Sequence, residues 1–446
     1  MPLEQAIKQA PKQTPEQALE QAPDRRTGAL VFASTCHMLR DGIFAILYPL
    51  LPAIAADMSL NYGQASLLRA TFYSASAVLQ IPAGFLAEKI GEYTVLTAGG
   101  FWLSAGVVGM GMAAAFLPFL VLSVLAGVGG NAAHPVGASL VSKVYEQQGR
   151  GKAIGTFNFT GDLGKLVGPM LAGLVAATYG WRMVFKGLGV ISLAVTLTLW
   201  LATRSTLARA LGRPAAGFGT SPSEPPSSSA PPSLDADAAA GQPAQPGQPV
   251  RPAAPSRGWG IKSRPAFAAL MTINGLDESV RGSTLVLLPF LLSAHGMSTE
   301  MIGLVFTIIF AGGAAGKFVC GWMGEVLGPL PVIWITEVAT TLTAVLFLVA
   351  PVWFVFPLAI LFGFSLNGTS SVLYAAVAGM VAPERRGRAY GVIYTVGLLS
   401  SALAPIICGT LGDHIGLLPA FAIAAVVTLT ILPLSWAIRR ELVAQA

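Results

Sequence analysis

The sequence predicts an all-α polytopic membrane protein of about twelve transmembrane helices in two pseudo-symmetric six-helix bundles. Composition carries the first part of that reading. Of 446 residues, 54% are hydrophobic and 11% charged, against roughly 25% charged in ordinary soluble domains. So few charges cannot clothe an exterior that meets water, so most of the surface must meet lipid. Apolar stretches of roughly 20 residues recur along the chain, the length a helix needs to cross a bilayer. The third observation is an internal repeat. Arg150-Gly151-Lys152-Ala153-Ile154-Gly155 returns as Arg386-Gly387-Arg388-Ala389-Tyr390-Gly391, an offset of 236 residues. Gly84-Phe85-Leu86-Ala87-Glu88-Lys89-Ile90-Gly91 returns at 237 as Gly321-Trp322-Met323-Gly324-Glu325-Val326-Leu327-Gly328. Asn131, Pro169, Gly173 and Gly180 return at 236 as Asn367, Pro405, Gly409 and Gly416. A duplicated apolar half is how many membrane carriers build two lobes about a path.

In chain order, residues 1–28 form a Gln/Ala/Pro-rich tail without the apolar core and cleavage site of a secretory signal, read as a cytoplasmic extension. The N-terminal bundle is expected over 29–204, with spans at 29–55, 64–87, 93–113, 117–141, 152–177 and 182–203. Residues 205–263 are rich in Pro, Ser, Ala and Gln, cannot bury a core and are expected to be a disordered cytoplasmic linker. The C-terminal bundle is expected over 264–440, with spans at 265–293, 300–322, 329–349, 352–377, 388–410 and 417–438, and 441–446 as a second tail.

Lys and Arg collect in the N-terminal tail, in alternate loops (Lys89, Lys143, Arg150, Arg385 and Arg386 among them) and at the C-terminus; Arg182 and Lys186 after span five are the exceptions. The positive-inside rule then places both termini and the linker in the cytoplasm of a bacterial-type inner membrane. The net charge of +6 reflects this placement, and no nucleic-acid partner is expected. Cys36, Cys320 and Cys408 stand far apart in apolar surroundings without metal-ligand spacing, so buried thiols are expected, with no metal and no cofactor.

The run Gly84 to Tyr93 resembles the loop signature between spans two and three of the major facilitator superfamily, with Glu88 in place of the usual Asp and Glu92-Tyr93 in place of a basic pair. That resemblance implies a latch on the cytoplasmic side built from Gly84, Glu88, Gly91, Arg150 and the second-half residues Glu325 and Arg386. Gly155, Gly164, Gly168, Pro169, Ala172 and Gly173 in span five resemble the superfamily's antiporter signature, which accompanies drug/proton exchangers. Small residues let two helices approach closely, and Pro169 removes a ladder donor so that the helix can bend. The run Gly127 to Pro135 in span four is similar to the fosmidomycin-resistance branch. The resemblance also implies that spans one, four, seven and ten line a cavity, with two, five, eight and eleven beside them.

A charge at the centre of a membrane helix costs roughly 2.5–3.5 kcal/mol on insertion scales, so such residues face a partner or a water-filled path. His37, Arg40 and Asp41 share one helix face at i, i+3 and i+4; Asp162 and Lys165 are three apart; Asp277, Glu278 and Arg281 form i+4 and i+3 pairs. Asp41 and Asp277 are repeat mates. A carboxylate beside a cation stays ionised, and breaking the pair in a drier place raises its proton affinity. Asp41, Asp162, Asp277 and Glu278 are therefore candidate proton carriers, or else permanent ion pairs that fix helix rotation. Arg40, His37, Lys165 and Arg281, with the neutral Asn131, His134, Asn158 and Asn367, are candidate substrate contacts, the cations suiting a carboxylate or phosphonate. The cations roughly match the acids, so a near-neutral cavity is expected. Arg69 is a further cation suited to a carboxylate or phosphonate, though its place near the outer end of span two suits snorkelling better, and Lys317 is expected to pair with Glu325 or Glu88.

Without a nucleophile–base arrangement, a phosphate loop or a metal-ligand spacing, an enzyme is not expected. The expected activity is proton-coupled export of a small anionic or amphiphilic organic compound by a monomeric secondary carrier working by alternating access. The alternatives are a proton symporter importing an organic anion and a non-transporting membrane sensor or scaffold.

Overall fold

Four glycines at positive φ punctuate the chain where one span ends and the next begins: Gly91 (88°) and Gly328 (80°) in the two halves, and Gly180 (77°) and Gly416 (93°) likewise. A side chain at these backbone angles is strained, and glycine makes the sharp reversals possible. In the computed structural model, the backbone is described for residues 23–130, 132–145, 149–204, 260–382 and 386–443. Helices account for nearly all of it. α1 runs Pro23–Ala45 and continues as Leu47–Met58; α2 is Tyr62–Val78 and Gln80–Ile90; α3 is Glu92–Met112; α4 is Phe116–Gly130 and Pro135–Val144; α5 is Arg150–Tyr179; α6 is Trp181–Thr203. In the second half α7 is Arg264–Ala294, α8 Thr299–Leu327, α9 Pro329–Phe347, α10 Val352–Met380 and α11 Arg386–Ile415. α12 is Leu417–Val426 and Ile431–Ala437, joined by a 3-10 turn at Val427–Thr430, and the short helix Arg439–Val443 follows it.

These twelve elements match the expected spans. Among the described residues nine stretches are long and apolar enough to cross a membrane; α2, α5 and α7 fall outside that group. The break at Leu79 shortens α2, while α5 carries Asp162 and Lys165 and α7 carries Asp277, Glu278 and Arg281. The first helix begins at Pro23 rather than 29. Residues 205–259 lie outside the described residues, but the end of the expected linker is placed: Ile261 bridges Val381, with Lys262 N–H donating to Met380 O (3.0 Å) and Ala382 N–H to Gly260 O (2.9 Å).

Within the first half α5 packs on α1, α3 on α6 and α4, and α2 on α4; within the second α11 packs on α7, α8 on α10, and α9 on α10. The halves meet along two symmetry-related seams, α5 against α8 and α2 against α11. The glycine signature of α5 divides between these tasks. A Cβ on Gly164 would stand 2.2 Å from the Met38 carbonyl oxygen, and one on Gly168 2.7 Å from that of Gly42, so both glycines let α5 lie against α1. Gly173 serves the other half, where its Cβ would meet the Thr299 carbonyl at 2.9 Å; its mate Gly409 packs on Ser66 and Tyr62. Gly155, by contrast, meets nothing within 4 Å and takes no part in either seam.

Among the described residues the apolar core separates into three clusters. The largest joins both halves, with Phe44, Leu50 and Phe72 beside Leu288, Phe306 and Phe362. The other two belong to one half each, one around Leu270, Leu373 and Ile393 and one around Phe32, Leu140 and Phe157. The shared cluster lies toward the end opposite the chain termini. There Tyr62 N–H (2.7 Å) and Gly63 N–H (3.0 Å), at the start of α2, donate to the carboxylate of Asp413 at the end of α11, and Tyr48 stacks on Phe306 with centroids 5.4 Å apart. The halves are thus joined at one end and carry separate cores toward the other.

Gly164→Ala forces α1 and α5 apart and is expected to cost about 1–3 kcal/mol, the range for overpacking, whereas Gly155→Ala should be neutral or stabilising by about 0.4–1 kcal/mol. Thermal unfolding of the two variants in detergent checks the contrast.

Candidate functional site

A cavity of about 270 Å3 lies between the halves, lined by residues of α1, α2, α4, α5, α7, α8, α10 and α11. A second, of about 540 Å3, adjoins it at Gln80, His134, Glu278 and Leu398 and continues past Phe157, Asn158, Tyr374 and Tyr394 toward the terminal end.

Asp41 forms the hub. Its side chain has no exposure, and four nitrogen groups converge on its carboxylate: Arg40 Nη1 at 2.6 Å, Lys165 Nζ at 2.9 Å, His134 Nε2 at 3.2 Å and His37 Nε2 at 3.4 Å. The helical spacing of His37 and Asp41 brings those two together; Lys165 arrives because Gly164 and Gly168 let α5 approach. His37 Nδ1 lies 2.9 Å from the Phe157 carbonyl, which only accepts, so Nδ1 carries a proton. The ring stacks on Phe157 (4.3 Å between centroids) and sits against Gly161. His134 reaches Asp41 from the break in α4, directly before Pro135. Arg40 also donates to Ser76 Oγ (3.2 Å) and lies 4.0 Å over the Phe44 ring.

From Asp41 the charges alternate across the molecule. Lys165 bridges to Asp162 Oδ1 (3.2 Å), and Lys317 of α8, in the other half, reaches the same carboxylate at 3.2 and 3.4 Å. The expected pairing of Lys317 with Glu325 or Glu88 is therefore wrong: both acids are exposed, and Lys317 points inward. In the second half Arg281 pairs with Asp277 (2.9 Å) and Glu278 (3.1 Å), as their spacing implied.

Arg69 also departs from expectation. It is 2% exposed rather than snorkelling. It donates to Tyr48 Oη (2.8 Å), to Ser401 Oγ (3.3 Å) and to the Ser401 carbonyl, and its guanidinium lies 4.2 Å over the Tyr73 ring. The cavity is lined by Arg40, Arg69, Lys165, Arg281 and Lys317 against Asp41, Asp162 and Glu278. Cations outnumber acids along its wall, in place of the expected near-neutrality.

Asn367 donates to Gly363 O of its own helix (3.1 Å) and packs on Gly313 beside the cavity. Asn158 lines the second cavity. Asn131 lies outside the described residues, as does the side chain of Arg386. At the terminal end Glu92 at the start of α3 takes Lys143 as a basic partner at 2.6 Å; Glu88 and Arg150 are exposed. Glu337 of α9, 1% exposed, was missed by sequence reasoning; a lone acid inside the apolar run from Trp334 to Phe347 was the available signal. Donor atoms of His37, Asp41 and His134 lie within 4.8 Å of one another, but Arg40 and Lys165 already occupy the Asp41 carboxylate, an arrangement that opposes a further cation.

Two six-helix halves with buried charge pairs at their interface define a polytopic membrane protein with a central polar cavity. The sequence matches the family model of the Major Facilitator Superfamily over residues 31–276 and 267–445, and the chain belongs to that superfamily. It is 27% identical over 194 residues to the fosmidomycin resistance protein of Escherichia coli strain K12, covering 42% of this chain and 47% of that protein. Over 179 residues it is 29% identical to multidrug resistance protein MdtG of Yersinia enterocolitica, covering 39% and 43%. Over 146 residues it is 30% identical to the probable sulfoacetate transporter SauU of Cupriavidus necator, covering 33% and 34%. The chain thus spans less than half the length of each of these relatives. Among solved structures, a bacterial homologue of the human lysosomal transporter Spinster, in an inward-facing and occupied conformation, superposes with a TM-score of 0.73 at 17% identity over 94% of this chain and 98% of that one. A peptide transporter in complex with sulfate gives 0.68 at 14% identity over 93% and 96%.

Removing one member of a buried ion cluster leaves the others uncompensated, at a cost of about 3–5 kcal/mol. Asp41→Ala is expected to lower stability by that order, while Glu88→Ala should stay within about 0.5 kcal/mol. Thermal midpoints of the purified variants separate the two cases.

Proposed function

We propose that the chain is a secondary carrier that moves a small organic anion by alternating access in exchange for protons, and that the form described here faces the cytoplasm. The observation that carries this is the charge ladder Arg40–Asp41–Lys165–Asp162–Lys317, which runs through the cavity wall and crosses from one half to the other. Asp162 is the shared acid of two lysines on opposite halves. When it takes a proton it loses its hold on Lys317, and the link between halves at mid-membrane is released. Asp41 retains Lys165 and Arg40 through that step, and Asp277 with Glu278 provides the corresponding acid–base group on α7. The distribution of Lys and Arg favours cytoplasmic termini, and on that orientation the cavity running toward the terminal end opens inward.

An anionic substrate is favoured because the cavity wall carries more cations than acids, and guanidinium groups hold carboxylates and phosphonates in two-pronged contacts. Export is favoured by the glycine signature of α5, which here seats α5 on α1 and against α8. Relatives named for resistance to fosmidomycin and for multidrug resistance fit export, and one named as a probable sulfoacetate transporter fits an anion. Arg40, His134, Asn158, Lys165, Arg281 and Asn367, which line the two cavities, would contact the substrate, whereas His37 is buried behind them; a monomer in the bacterial inner membrane is sufficient for the cycle.

The test is proton flux in reconstituted vesicles with an imposed pH gradient and a panel of organic anions, cations and neutral compounds. Anion movement opposite to proton movement is expected, and Asp162→Asn should lower coupled flux by about tenfold or more, the effect of losing about 1.4 kcal/mol of coupling. Movement of anion and proton in the same direction would replace the exporter with a symporter. No coupled flux with any class would overturn the carrier reading.

A further inference from the structure

The two seams between the halves share a construction that ends in different chemistry. Pro169 in α5 and Pro405 in α11 are repeat mates, and a proline inside a helix leaves the carbonyl four residues earlier without its donor. In α5 that carbonyl belongs to Lys165; one residue on, Leu166 O accepts from the Thr307 hydroxyl of α8 across the seam at 2.9 Å. In α11 the freed carbonyl is that of Ser401, and it accepts from Arg69 of α2 across the other seam. One cross-half bond is donated by a neutral hydroxyl and the other by a charged guanidinium that also lines the cavity.

Arg69 is a full charge in direct contact with no carboxylate among the described residues; Glu278 acts on it only at a distance and is itself held by Arg281. Arg69 has no ion-pair partner among the described residues, and Arg281 on the same wall takes Asp277 and Glu278. What satisfies Arg69 is a carbonyl, two hydroxyls and the face of Tyr73, and its Nε has no hydrogen-bond partner among the described residues. A neutral carbonyl is a weaker acceptor for a guanidinium than an anionic oxygen, which makes a hydrogen bond roughly twice as strong.

We propose that Arg69 is the anion receptor of the cavity and that an anion seated on it takes the guanidinium from the Ser401 carbonyl, releasing the α2–α11 seam. This rests on the anion-carrier reading above and adds to it the seat and the trigger. The Ser401 carbonyl has no helical donor to fall back on, so once Arg69 turns to the anion it must find water, which reaches it as α2 and α11 part. The α5–α8 seam is held by Thr307 and by Lys317 on Asp162, and its cations Lys165 and Lys317 already share a carboxylate, so occupancy acts first on the seam whose cation has none. Farther along α2 and α11, the Tyr62 and Gly63 amides held by Asp413 report whether the seam is closed.

The experiment pairs anion binding with hydrogen–deuterium exchange of the full chain, read on peptides covering residues 58–66, using phenylphosphonate, glutarate and benzoate as probes. In the unsubstituted protein a probe that binds should speed exchange of the Tyr62 and Gly63 amides by about tenfold or more. Arg69→Met should weaken binding of that probe by about tenfold or more, the loss expected for a hydrogen bond to a charged group, and saturating probe should leave its exchange unchanged. Pro405→Ala returns an N–H to the Ser401 carbonyl. It should bind the probe undiminished, with Tyr62 and Gly63 exchanging fast before any probe is added. Undiminished binding by Arg69→Met would overturn the receptor while leaving the anion-carrier reading intact. Binding to the unsubstituted chain without faster exchange, or probe-dependent exchange in Pro405→Ala like that of the unsubstituted chain, would overturn the trigger. If the unsubstituted chain binds none of the probes, the anion reading and this inference fall together.

Discussion

A carboxylate without exposure to water stands at the centre of the first half, and the middle of the molecule is organised by what Asp41 requires. An unpaired charge in that position would be driven out or neutralised, since an ion pair in a dry interior is tolerated only with close geometry and additional hydrogen bonds. Arg40 and Lys165 supply the opposite charge, and the rings of His37 and His134 close in around the carboxylate, so that groups of α1, α4 and α5 meet there. Meeting that demand fixes other features: α5 must come close to α1, which calls for Gly164 and Gly168; α4 must break so that His134 can turn inward; and Lys165, drawn to Asp41, holds Asp162 where Lys317 of the other half can find it.

The duplicated sequence supplies a symmetric scaffold on which asymmetric chemistry is placed. Turns, kinking prolines and seam glycines match between the halves, as Gly173 and Gly409 show in lying against the opposite half at equivalent places. The charges do not. Asp41 is compensated by groups from three helices, whereas its mate Asp277 depends on Arg281 of its own helix. Two seams with matched prolines but different bonds, Thr307 on Leu166 O and Arg69 on the freed Ser401 O, belong to the same pattern. The halves share a scaffold by symmetry, and its local failure gives the two seams different donors.

Spans, repeat and same-helix pairs were legible in the sequence because each depends on local or periodic information. Asp277 with Arg281, and His37 with Asp41, follow from helical spacing alone. Pairings between helices were not legible in the same way. The place of Lys317 near the inner end of its span points to the loop acids Glu325 and Glu88, while the fold turns it toward Asp162, 155 residues away. Arg69 was read as snorkelling from its place near a helix end, and its burial follows from the proline of another helix freeing a carbonyl at the right height. The signature glycines were recognised as a set, but only coordinates separate Gly164, which has a neighbouring backbone against it, from Gly155, which has none.

The division of the apolar core into one cluster common to both halves and two private ones has a thermal consequence. In the alternating access proposed above, turning the molecule to open at its other end would expose the common cluster to water and bring private surfaces together. Burial of apolar surface changes heat capacity in proportion to the area removed from water. The balance between the two orientations therefore holds steady across temperature only if the area uncovered at one end equals the area covered at the other. Any inequality makes the resting orientation drift as the cell warms or cools, so the match between separated core faces is a constraint on how this chain keeps working through a range of growth temperatures.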